Sequence, residues 1–253
     1  MLSSILSKSL SFFLVTSFLL WSTFSFSEGI GLNKSRLIFG ESDKNQTIEI
    51  TNDNKIPYLV QASILSSLDE TISNKFIVTP PLFRVDAESQ YTVRIFPNDV
   101  GDLPKDKESI FYFKARAIPP STPAKENTEK TDLVFITAII VKMYYRPENL
   151  LSLDTSIFKK INVINEKNKW KINNPTPYFI TLVDFSVNHK TQQGSILIAP
   201  FTNLEINTEN KVLTESSWRF IDDFGGISEK YSFKKEPSEE LNKNITSENQ
   251  TKN

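Results

Sequence analysis

Short runs rich in Ile, Val, Phe, Tyr and Thr recur along most of the chain, separated by clusters of Asn, Asp, Pro and Ser. Such runs predict β-strands, because β-branched and aromatic side chains suit a half-buried pleated surface and the clusters between them form turns. The predicted strands fall at 46–51, 59–65, 91–96, 110–117, 133–145, 179–187, 194–198, 218–221 and 228–233, and helical spacing is scarce. Many short strands without helices between them imply a sandwich or barrel, not a doubly wound sheet.

The longest run ends at Arg146, Pro147, Glu148 and Asn149. Proline lacks the N–H that a central strand must donate, so a junction belongs there. The boundaries expected are a first domain at 28–147, a linker at 148–150 and a second domain at 151–235. Each is near the size of an immunoglobulin-like sandwich, about 100 residues. Residues 236–253 are almost wholly polar, with too little apolar surface to offset ordering entropy, and are expected to be a disordered tail. A polar stretch at 121–132 is expected to be a mobile loop between strands.

The start of the chain follows another logic. Lys8 is its only charge, an apolar stretch fills 10–21, and Ser25 and Ser27 suit cleavage before Glu28. That layout predicts a secretory signal peptide at 1–27, the alternative being an uncleaved anchor. No later run matches a membrane span in length and apolarity, so no membrane insertion is expected after signal removal. An exported chain with no cysteine does not resemble a disulfide-built extracellular scaffold and fits a bacterial periplasm.

Composition narrows the chemistry. With 29 Lys+Arg against 30 Asp+Glu, the net charge of -1 gives no field that would draw in nucleic acid. Zero cysteines exclude thiolate catalysis and Cys-ligated zinc, and one histidine leaves no His-rich metal cluster. Seven glycines, none in a nucleotide-binding spacing, point to no cofactor. A rival reading is a secreted hydrolase using Ser or paired carboxylates, but the only histidine, His189, stands in a polar run between Asn188 and Lys190 and reads as a solvated loop residue, not a catalytic base. The kinase-like triplet Asp223, Phe224 and Gly225 has no catalytic loop to accompany it. No enzyme is expected.

The segment 133–145 is apolar on both faces: Val134, Ile136, Ala138 and Ile140 on one, Leu133, Phe135, Ile139 and Val141 on the other. One explanation is a central strand covered on both sides. The other is that the odd-numbered set lies open for a partner, where burying three such side chains would contribute about 5 to 8 kcal/mol before ordering costs. On the second reading Lys142 shares the parity of the core-facing set, a position tolerable only at a domain cleft.

Lys142, Met143, Tyr144, Tyr145, Arg146 and Pro147 resemble the strand end of the PapD-like periplasmic chaperones of the chaperone-usher pathway. Residues 103–112, from Leu103 and Pro104 to Phe111 and Tyr112, followed by Ala117, Ile118, Pro119 and Pro120, are similar to that family's signature segment. Segments 35–39, 57–62 and 78–85, then 174–180, 198–201 and 221–226, follow in the family's order.

The resemblance implies an all-β fold of two immunoglobulin-like β-sandwich domains set at an angle around a cleft. It implies a periplasmic chaperone that binds, folds and caps pilus or fimbrial subunits by donor-strand complementation and delivers them to an outer-membrane usher. Leu133, Phe135 and Thr137 would enter the subunit groove, Thr137 departing from the expected apolar residue. Arg36 and Lys142 would anchor the subunit's C-terminal carboxylate through charge-assisted hydrogen bonds. Glu108, Arg146 and Asp223 would form a structural charge cluster joining the domains. The loop at 121–132 suggests the short-loop type that serves pili, and the exposed apolar edge would permit self-association of the unloaded protein. The alternative from another class is a secreted β-sandwich fibre subunit or adhesin.

Overall fold

A computed structural model describes residues 29–120, 135–150, 152–167, 169–207 and 212–235. The signal peptide expected at 1–27, the loop at 121–132, Leu133 and the tail at 236–253 lie outside these residues. The described chain forms seventeen strands and one short helix, grouped into four sheets around two hydrophobic cores.

The first core lies between two sheets. One has the order β1 (Ile30–Leu32), β3 (Gln46–Asn52), β7 (Ser89–Pro97) and β5 (Phe76–Thr79). The other has the order β2 (Arg36–Gly40), β9 (Thr137–Arg146), β8 (Ser109–Ile118), β4 (Tyr58–Leu65) and β6 (Leu82–Val85). Alternation sets which side chains enter. Ile48 and Ile50 of β3, Val93 and Ile95 of β7, and Phe111, Phe113, Ala115 and Ala117 of β8 point inward, with Thr47, Glu49, Lys114 and Arg116 on the opposite faces of the same strands. β5 and β6 belong to different sheets, and Pro80 and Pro81 between them break the ladder where the chain crosses over.

The second core lies between the sheet β10 (Asn162–Glu166), β11 (Lys169–Asn174) and β15 (Thr202–Glu205) and the sheet β13 (Lys190–Thr191), β12 (Ile180–Val187), β16 (Glu215–Phe220) and β17 (Tyr231–Lys234), with β14 (Ile196–Ile198) also pairing β12. Helix α1 (Thr155–Phe158) covers one end: Asp154 caps it by accepting from the Ser156 and Ile157 amides at 2.8 and 3.2 Å, and Phe158 stacks on Phe220 at 4.5 Å.

A buried asparagine ends a strand in each half. Asn52 donates to the Ile56 and Asp86 carbonyls, both at 2.8 Å, and its own carbonyl accepts from the Asn54 amide at 3.1 Å. Asn174 donates to the Tyr178 and Ala199 carbonyls at 2.8 and 2.9 Å and accepts from the Thr176 amide and hydroxyl. Each side chain thus satisfies loop groups that no ladder reaches.

Candidate functional site

Strand β9 pairs with β8 along all but its last residue, Ala117 opposite Thr137 through Ser109 opposite Tyr145. On its other side the parallel β2 joins only from Lys142 to Arg146. From Thr137 to Val141, therefore, one edge of β9 has no strand partner among the described residues. An unpaired row of N–H and C=O groups beside apolar side chains is a template for strand addition. Phe135 is 75% exposed, and Ile136 and Ile140 are also exposed.

The parity is the reverse of the sequence expectation. Val141, Met143 and Tyr145, the odd set, pack into the first core. Lys142 stands on the other face with Ile140 and Tyr144, and Tyr144 meets Phe179 of the second domain at 5.9 Å. The odd row is a single stripe that begins inside the sandwich at Tyr145 and emerges into solvent at Thr137 and Phe135, where the core ends. A cation on the outward face needs no burial in hydrocarbon.

That outward face carries a recess of about 270 Å³ lined by Ser35, Arg36, Leu68, Tyr112, Ile140, Val141 and Lys142. The ladder brings Arg36 and Lys142 together: they are paired in register across β2 and β9. Burial, and then the neighbouring Arg36 charge, hold the Lys142 pKa below the ordinary lysine value. Among the described residues no carboxylate pairs with Lys142. Arg36 is tethered by Nη1 to the Ile221 carbonyl at 3.3 Å, and its Nε is buried without a partner. Two adjacent cations with unused donors are suited to an anion, above all a carboxylate that takes bonds from both.

A turn of the second domain packs against Ser35 at the edge of the recess. Asp222 accepts from the Phe224 and Gly226 amides at 2.9 and 2.7 Å, folding 222–226 into a tight turn. Gly225, at φ 87°, brings its backbone so close to Ser35 that a β-carbon there would meet the serine hydroxyl. Only glycine fits that approach.

Glu108, Arg146 and Asp223, expected to meet, do so. Arg146 Nε donates to Glu108 Oε1 at 2.8 Å, while Nη1 and Nη2 donate to the two Asp223 oxygens at 2.7 and 2.8 Å. Glu108 Oε2 also accepts from the Phe179 amide at 2.8 Å, and the Arg146 guanidinium lies 5.3 Å from the Tyr178 ring centroid. Burial pushes the Glu108 carboxyl up against the opposing pull of Arg146. Burial likewise works against the Arg146 charge, but its bonds to Asp223 and the nearby Glu108 outweigh it and hold the guanidinium above the usual arginine value. The sequence reading does not find Tyr112, Ser35 and Gly225, whose roles appear only once β8, β2 and the 222–226 turn converge. It sets His189 apart from this site, and there the residue lies, exposed and 2.9 Å from Glu215.

Two immunoglobulin-like sandwiches, a charge cluster across their junction and an open strand edge ending at a cationic recess define a two-domain all-β protein with one sheet edge left unpaired beside two cations. The chain belongs to the PapD family of pilus assembly chaperones. The family model for the "Pili and flagellar-assembly chaperone, PapD N-terminal domain" matches residues 29–151, and that for the "Pili assembly chaperone PapD, C-terminal domain" matches 156–232. The chain is 31% identical to chaperone protein PapD of Escherichia coli, over 78% of this chain and 83% of that one. It is 32% identical to the fimbrial chaperone YqiH of Escherichia coli K12, over 78% and 80%. Among solved structures, the Escherichia coli chaperone DraB superposes with a TM-score of 0.71 at 26% identity, covering 82% of this chain and 99% of that one. A chain of the Salmonella enterica complex of SafA pilin with the SafB chaperone gives 0.70 at 26% identity, covering 83% and 98%.

Proposed function

We propose that this protein is a periplasmic chaperone that lends β9 to a pilus subunit, holds the subunit's C-terminal carboxylate at Arg36 and Lys142, and passes the capped subunit to an outer-membrane usher. The observation that carries this reading is that the free edge of β9, from Thr137 to Val141, runs directly into the recess at Lys142 and Arg36. An extended strand added to that edge with its last residue at the recess must run parallel to β9, because its C-terminus then lies beside the C-terminal half of β9. Phe135 and Thr137, together with Leu133, would fill the groove of the added subunit. The pilin complex formed by the structural neighbour SafB supports the choice of partner. Residues 1–27 would serve as the cleaved export signal that delivers the chain to the periplasm.

The cluster of Glu108, Arg146 and Asp223 would fix the angle between the domains and hence the width of the cleft. Such a buried triad is weak support for net stability but sets geometry through its fork-like bonds.

Co-purification from the native periplasm tests the proposal, with wild type beside Lys142→Ala and mass spectrometry of the associated chains. A stoichiometric small subunit recovered with wild type and lost with the variant is the expected result. Recovery of neither form with a subunit, while the fibre genes are expressed, would overturn the reading.

A further inference from the structure

We propose that the phenolic hydroxyl of Tyr112 is a third donor to the carboxylate at Arg36 and Lys142, so that the recess selects a free C-terminus by three convergent donors. This rests on the proposed carboxylate anchor and extends it to a residue on a third strand.

Arg36, Lys142 and Tyr112 form one rung of the sheet. Lys142 is in register with Arg36 across one edge of β9 and with Tyr112 across the other. Directly opposed residues point to the same face and lie within side-chain reach. All three line the same recess. The Tyr112 hydroxyl has no hydrogen-bond partner among the described residues, so its proton is free for a ligand. Burial also holds its pKa above the ordinary tyrosine value, so it is a protonated donor at neutral pH.

A carboxylate offers about four lone-pair sites, which two cations do not exhaust. Burial, and then repulsion from Arg36, already depress the Lys142 pKa; a third cation would add to that repulsion, whereas a phenol donates without charge. Leu68 and Ile140 form the apolar side of the recess, and a less polar surround strengthens the bonds made there.

The test is fluorescence anisotropy of the purified protein with a labelled synthetic peptide of alternating valine and threonine ending in a free carboxylate, beside its C-terminal amide twin. Tyr112→Phe keeps the ring and its packing, and thermal unfolding of the variant should match wild type. The expected result is an affinity for the acid peptide lowered about tenfold by Tyr112→Phe, with the amide unaffected. An unchanged affinity for the acid, or an equal loss for acid and amide, overturns the role of Tyr112 while leaving the anchor intact. Equal binding of acid and amide by wild type overturns the anchor itself, and Tyr112 with it.

Discussion

Asp223→Ala is the most informative perturbation of the domain junction. The side chain accepts both outer Arg146 nitrogens and the Leu153 amide at 3.3 Å. Its removal leaves a guanidinium only 8% exposed with Glu108 as its one carboxylate partner among the described residues. Breaking a buried pair by deleting one member costs about 3 to 5 kcal/mol, most of it from the stranded charge. The assay is urea unfolding followed by tryptophan fluorescence, whose reporters Trp170 and Trp218 lie in the second domain. A low-denaturant transition should appear as the domains uncouple, with a loss of about 3 kcal/mol. The triple variant Glu108→Gln, Arg146→Met, Asp223→Leu removes every charge and should recover most of that loss while widening the distribution of interdomain angles in small-angle scattering. Asp223→Ala unfolding within about 0.5 kcal/mol of wild type, the range of an ordinary surface change, would refute the reasoning.

Three further outcomes follow from the same structure. Lys142 has a depressed pKa in the free protein, and a bound carboxylate would raise it; binding therefore takes up a proton, and affinity should fall as pH climbs through the free-state pKa, by titration calorimetry in buffers of different ionisation enthalpy. Asn174→Ala strands the Tyr178 and Ala199 carbonyls in a buried loop and should lower the stability of the second domain by about 1 to 3 kcal/mol, read from its unfolding midpoint. Phe135→Asp should leave the unfolding midpoint within about 0.5 kcal/mol of wild type, since the ring is largely solvated, yet abolish subunit recovery in pull-down.

Long alternating runs such as β4, β7 and β8 are legible in the amino-acid sequence, because one face of each is largely buried and the other largely is not. The hairpin of β10 and β11 is not legible there. Its inward residues are diluted by Asn162, Asn165, Lys169 and Lys171, which face solvent on a small edge sheet. The five-residue β2 is visible only as a family-like segment, since too few residues carry its period. The site residues are legible as identities but not as directions. With both faces of 133–141 apolar, alternation alone does not say which one the core takes, and the core takes the odd row where the even one is expected. Lys142 holds the missing signal: a cation on the even row marks that row as outward, leaving Met143 and Tyr145 to the core. Tyr112 cannot be found from sequence at all, because its placement depends on the register of β8 against β9.

Hydrogen–deuterium exchange along β9, with the protein free and loaded with its co-purified subunit, tests the central claim most directly. Alternate amides between Thr137 and Val141 point away from β8 toward the free edge and should exchange quickly in the free protein. Loading should slow these amides at least about tenfold, while those already bonded to β8 change little. Unchanged exchange at the free edge in a complex that holds its subunit would show that the subunit binds elsewhere, contradicting strand addition at β9.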